Sequence, residues 1–296
     1  MKIGLAICAL LLTISICAQK ISGTVKNENK EVISYCSISF GNENISTITD
    51  NNGNYSLEIP QSANKNDEII FESNGYESKN LSINEITQNS NIILNKRVYA
   101  IQEINVSGKK TKRETIGAEK RPMLTFSKMF DKNKPTVEQG QIFDIYNWTK
   151  LNSYNFYIIP SSRFKEITLK LNIYSVKDGL PYQSLLNENI IYKTGTTGWQ
   201  NIDLQQYRLI YTDSDKLAIT LQLVDYIQDD TIDFVFGISA KKTLSNNLLY
   251  RYQSQGKWEA SKGSFISNIN INYNKDQREK ISTAKNQNEA VSKNTE

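Results

Sequence analysis

The stretch from Lys20 to Pro60 limits what this chain can fold into, because its apolar residues recur with a period of two. Ile21, Gly23 and Val25 alternate with Ser22, Thr24 and Lys26. Cys36, Ile38 and Phe40 share one parity, and Tyr55, Leu57 and Ile59 share another. Alternation of this kind marks strands with one buried face. Between two of them lies Thr49-Asp50-Asn51-Asn52-Gly53-Asn54-Tyr55. It reads as a tight turn in which Asp50 accepts backbone N–H bonds and Gly53 takes the positive-φ position. Asp50, Asn52 and Asn54 also have the alternate spacing of a calcium loop. That loop needs further oxygen ligands and a closing bidentate glutamate. Leu57 and Ile59 follow at once, so the turn feeds a strand and no metal is expected.

Further short strands are expected at Glu68–Ser73, Lys79–Ile83, Asn91–Leu94 and Ile101–Val106. Their even spacing suits a Greek-key sandwich over residues 19–107. The residues Ile21-Ser22-Gly23-Thr24-Val25, the run from Thr49 to Leu57 and the Gly75-Tyr76 pair resemble the carboxypeptidase regulatory-like domain. The resemblance implies a transthyretin-like β-sandwich, used as an accessory module in bacterial envelope proteins. It does not imply a peptidase. The chain contains no histidine, which removes Ser-His-Asp and Cys-His nucleophile systems and the zinc sites of peptidases.

Residues 1–18 read as a cleaved secretory signal: Lys2 is followed by an apolar run from Ile3 to Ile16, and Ala18 stands before Gln19. Ile16 occupies the place where a lipid-attachment motif at Cys17 needs a small residue. Cys8 and Cys17 leave with this segment, so Cys36 remains alone. In phase with Ile38 and Phe40, it reads as a small buried hydrophobe. Net charge is +4, too small to suggest nucleic acid. No later run reaches membrane-spanning length.

Residues 108–121 read as a basic linker. Lys109, Lys110, Lys112 and Arg113 in this stretch could touch an anionic surface. Residues 122–274 read as a second, larger domain. Ile167, Leu169, Leu171 and Ile173 alternate with polar residues, as do Leu217, Ile219, Leu221 and Leu223. About eight strands without a helical stripe argue for a jelly-roll-like sandwich. The runs at 173–190 and 197–209 are also similar to a domain of unassigned activity that accompanies the regulatory-like module in secreted envelope proteins. Residues 275–296 lack apolar periodicity and read as a disordered tail.

The chemistry open to such a chain is narrow. Asp225, Asp229, Asp230 and Asp233 offer a remote paired-carboxylate glycosidase, but Asp pairs between strands ordinarily bind local backbone. Trp148, Trp199 and Trp258 are the candidate ligand-binding residues. Trp258 lies in the polar run Gln255-Gly256-Lys257 and is expected to be exposed, whereas Trp199 at a strand start is expected in the core. The chain therefore reads as an all-β, non-enzymatic, exported interaction or assembly module without a cofactor. Its partner would be an envelope or surface protein or a glycan, and carbohydrate binding through the aromatics of the second domain is the alternative.

Overall fold

The computed structural model describes residues 19–41, 44–97, 111–229 and 233–274. The expected leader, the strand at 101–106, Lys109, Lys110, Asp230 and the tail lie outside them. The fold is all-β, built as two sandwiches. The first comprises β1 (Gln19–Asn27), β2 (Ser37–Phe40), β3 (Ser46–Ile48), β4 (Asn54–Ile59), β5 (Glu68–Glu72), β6 (Lys79–Ser82), α1 (Ile83–Gln88) and β7 (Asn91–Leu94). One sheet has the order β4-β1-β7, with β7 parallel to β1, and the other β3-β2-β5-β6. Their inner faces enclose Val25, Cys36, Ile38, Leu57 and Phe71. Burial pushes the Cys36 thiol up to about 12, which keeps it protonated and unreactive.

The helix is an element that strand periodicity did not anticipate. Ser82 and Glu85 form a reciprocal capping box, each accepting from the other's backbone N–H. Ile83 and Ile86 then turn inward. The Asp50 turn is closed by N–H bonds from Asn52 and Asn54 to Asp50 Oδ1, both 2.8 Å, with Gly53 at φ +74°.

The second sandwich starts earlier than residue 122. Its first strands are β8 (Lys112–Gly117), β9 (Phe126–Phe130), β10 (Glu138–Asp144), β11 (Trp148–Ile158) and β12 (Glu166–Lys177). Next come β13 (Leu180–Ser184), β14 (Ile190–Thr194), β15 (Gly198–Asp203), β16 (Ile210–Thr212) and β17 (Lys216–Ile227). The last are β18 (Phe236–Lys241), β19 (Leu248–Arg251), β20 (Glu259–Ser261), β21 (Ser264–Phe265) and β22 (Ser267–Tyr273). Lys112–Gly117, expected in a solvated linker, instead pairs antiparallel with β22. An edge strand accommodates such charges because one of its faces stays wet.

A seven-stranded sheet carries β13-β12-β17-β10-β19-β20 with β14 beside β12. An eight-stranded sheet carries β21-β18-β11-β22-β8, with β15 and β16 on β11 and β9 on β18. Between them lie Leu151, Phe156, Leu169, Leu171, Ile219 and Leu221.

The outer face of the seven-stranded sheet is not open to water. Thr168, Lys170, Asn172 and Tyr174 on β12 are all buried: the first sandwich meets Lys170 and Asn172, and Trp258 and Arg251 cover Tyr174. Lys170 Nζ donates to the Tyr35 carbonyl at 3.1 Å, and Asn74 Nδ2 donates to Asn172 Oδ1 at 2.9 Å. Asn189 Nδ2 reaches the Ser34 carbonyl at 3.0 Å. Tyr35 holds φ +57°, a rare conformation for an aromatic residue that survives only where its surroundings impose it. Gly75 lies against Asn187 so closely that a Cβ would stand 1.9 Å from the Asn187 carbonyl oxygen.

At the centre of this face, Glu138 is satisfied completely. Arg251 donates to Oε1 through Nε at 3.0 Å and also through Nη2. Oε2 accepts from Asn172 at 3.1 Å, Tyr174 at 2.9 Å and Thr220 at 2.8 Å. Burial raises the Glu138 carboxyl, but Arg251 and the hydroxyl donors outweigh it and hold the group below its ordinary value near 4.5. Burial likewise pulls Lys170 below the usual lysine value, against the nearby carboxylates.

Two outcomes follow from this packing. Glu138→Ala strands a buried guanidinium and should lower unfolding free energy by about 3–5 kcal/mol in urea melts. The depressed carboxyl stabilises the fold above its unfolded value near 4.5. That contribution is lost as pH falls through the folded value, so wild type should lose more stability on acidification than Glu138→Gln. Separately, Gly75→Ala should loosen the seam between the sandwiches. Hydrogen exchange should rise around Tyr35 and Lys170 and stay unchanged in both inner cores. Equal exchange in the two proteins would sink this account of Gly75.

Candidate functional site

The outer face of the eight-stranded sheet is polar, buried at Asn268 and Ser153 and accessible at Asn155, Asn201, Asn270 and Asn272. On β22, Ile269, Ile271 and Tyr273 point into the core, so Asn268, Asn270 and Asn272 point outward. Their cross-strand partners make three rows. Asn268 pairs with Asn155 of β11, which pairs with Asn201 of β15. Asn270 lies between Ser153, itself opposite Asp203, and Thr115 of β8. Asn272 lies between Lys150 and Arg113. A bulge between Leu151 and Ser153 brings Asn152 beside this last row.

The amides hold one another. Asn201 Nδ2 donates to Asn155 Oδ1 at 2.6 Å, Asn155 Nδ2 to Asn268 Oδ1 at 2.8 Å, and Asn268 Nδ2 to the Ala118 carbonyl at 2.7 Å. In the next row Thr115 donates to Asn270 Oδ1 at 2.7 Å and Asn270 Nδ2 to Ser153 Oγ at 2.8 Å. In the third, Asn152 Nδ2 donates to Asn272 Oδ1 at 2.7 Å. Thr115, Asn152, Ser153, Asn201, Asn270 and Asn272 line a groove of about 740 Å³, and Asn155 and Asn268 continue the lattice beside it. Each amide keeps donor or acceptor capacity beyond the bonds that fix it, so the groove presents a preset polar lattice.

Aromatic residues stand on the same face beyond the groove, two residues from the Asn155–Asn201 pair. Trp199 is 40% exposed and meets Tyr157 edge to face, with ring centroids 5.6 Å apart. Arg121 lies over the Tyr157 ring at 5.5 Å, held by bonds to Ser239 and Thr125. Glu114 turns inward on β8 and accepts from the Tyr146 hydroxyl at 2.6 Å. Burial, then Glu114, push that hydroxyl up to about 12.

The three tryptophans are therefore placed differently from expectation. Trp199, expected in the core, projects outward because Gln200 and Ile202 take the inward positions of β15. Trp258, expected in solvent, covers the Arg251 guanidinium at 4.4 Å and meets Tyr174 at 5.6 Å. It belongs to the buried polar cluster, not to the groove. Trp148 is half-buried at the start of β11, opposite Thr212. Asp225 accepts from the neighbouring Tyr226 N–H at 2.8 Å, an ordinary local role. The asparagine face escaped a reading centred on aromatics. Its signal was present in the alternation Asn268-Ile269-Asn270-Ile271-Asn272.

Residues 21–116 match the model of the CarboxypepD_reg-like domain. The first sandwich is thus a CarboxypepD_reg-like domain. No curated protein matches the chain. Among solved structures it is similar to a clostridial cysteine protease, Cwp84, after propeptide cleavage, at 10% identity and TM-score 0.38, covering 86% of this chain and 71% of that one. It is also similar to the cysteine protease and lectin-like domains of Cwp84, a surface layer associated protein of Clostridium difficile, at 11% identity and TM-score 0.35, covering 88% and 60%. A structure of infectious bursal disease virus follows at 11% identity and TM-score 0.26, covering 85% and 54%. These scores are too low to carry any role across.

Trp258→Ala should remove a desolvated cation–π contact and lower stability by about 2 kcal/mol. Trp199→Ala should forfeit only the edge contact with Tyr157, about 1 kcal/mol. Thermal melts of the two variants, run side by side, check this ranking.

Proposed function

We propose that this chain is a non-enzymatic binding module of an exported envelope or cell-surface protein, and that the amide face of its second sandwich takes a saccharide. The observation that carries the reading is the asparagine lattice ending at Trp199 and Tyr157. A sugar offers many hydroxyls that both donate and accept, and an apolar face of C–H groups. Amides with free donor and acceptor capacity match the first, and an exposed indole matches the second. The lattice is fixed by its own hydrogen bonds, so little ordering cost remains on binding. The lack of histidine and the local role of Asp225 support binding over catalysis.

A second reading is a protein partner. Met123, Leu124 and Leu244 are 94%, 86% and 92% exposed. They flank the same end of the β9–β18 pair, where Phe126 faces Ala240. Exposed large apolar residues grouped together suit a protein contact. The two readings part on a glycan array probed with residues 19–296. Saccharide binding abolished by Trp199→Ala, with a fall in melting temperature of only about 2–4 °C, supports the amide face. An array with no hits overturns it and leaves the apolar end as the contact.

A further inference from the structure

The groove is not electrically uniform. The row at its far end from Trp199 contains Lys150, Asn272 and Arg113 on three adjacent strands. Lys150 and Arg113 are separated by two strand spacings, about 10 Å at the backbone. Both long side chains can converge above Asn272 from that distance. Asn272 Oδ1 accepts from Asn152, which leaves its amide hydrogens to act as donors. Among the described residues neither Lys150 nor Arg113 has an ion pair.

Two carboxylates, Glu114 and Asp203, also line the groove, and each is held by its own partner and not by the cations. Glu114 is bound by the Tyr146 hydroxyl. Asp203 accepts from the backbone and side chain of Gln205 at 3.0 and 3.3 Å. Asp203 also stands in the Ser153 row, one row away from the cations. Two cations without an ion pair, beside a donating amide, make a receptor for an anionic oxygen group, since charge-assisted hydrogen bonds are the stronger kind. Along β11 the distance from Tyr157 to Lys150 is about 20 Å at strand rise. An oligosaccharide can therefore rest on the indole and reach the cations together.

We propose that Arg113, Lys150 and Asn272 form an anion subsite, so that the saccharide taken by this face carries a charged substituent. The inference rests on the saccharide reading and narrows it to acidic glycans. Carboxylate and sulfate substituents share the required chemistry, and the test separates them.

The experiment is calorimetric titration of residues 19–296 with an oligogalacturonate, a sulfated oligosaccharide and a neutral oligosaccharide of similar length. One acidic probe should bind at least about tenfold more tightly than the neutral one, and its affinity should fall as salt rises. The double variant Arg113→Ala/Lys150→Ala should lose that tenfold preference with an unchanged melting temperature. The variant Arg113→Lys/Lys150→Arg should keep most of it. Whichever acidic probe wins names the substituent. If neutral and acidic sugars bind equally, depend on Trp199 and ignore the double variant, the saccharide reading stands and the anion subsite falls. If no sugar binds, both fall. If anionic phospholipid vesicles bind through Arg113 and Lys150 with no dependence on Trp199, the patch is a membrane contact and the proposal is overturned.

Discussion

The buried pairing of Glu138 with Arg251 governs much of this architecture. A carboxylate withdrawn from water is costly unless every lone pair is used, and here five donors use them. Several of those donors have second duties. Asn172, oriented by Glu138, receives Asn74 from the first sandwich. Arg251 supports Trp258 and, through Nη1, the Ser254 carbonyl. One charge pair thus fixes the surface on which the first sandwich sits, and that seam closes the outer face of the seven-stranded sheet. The eight-stranded sheet is left as the open one.

The seam also ties the first sandwich to the second. The Lys170 ammonium ends on a carbonyl of the first sandwich, and Gly75 admits the Asn187 carbonyl where any side chain would block it. Tyr35 and Gly75, both in turns of the first sandwich, therefore serve the seam as well. The two sandwiches share buried polar atoms, so each depends on the other to keep those atoms satisfied.

The inner faces were legible in the sequence because period two marks them directly. Ile167 to Ile173 and Leu217 to Leu223 point inward as their spacing demands. What covers the alternate positions was not legible. Thr168, Lys170 and Asn172 are polar, and polarity serves equally for contact with water or with a polar neighbour. The same ambiguity misplaced Trp258, whose polar flanks hid a guanidinium partner, and Trp199, whose place at a strand start suggested the core. Lys112 and Arg113 looked like linker because an edge strand needs few apolar positions, and Ile116 supplies the contact with the core. The groove itself was spelled out in asparagines, but only strand pairing brings Asn201, Asn155 and Asn268 into one row.

The amide rows have a direction. From Asn201 through Asn155 to Asn268 every N–H points the same way along the row. In the neighbouring row, Thr115 to Asn270 to Ser153, the donors run the opposite way. Aligned hydrogen bonds polarise one another, so each row behaves as a small dipole and adjacent rows are opposed. Opposed neighbours cancel at a distance, so the field of the rows fades within a few ångströms of the face and their order is felt only at contact range.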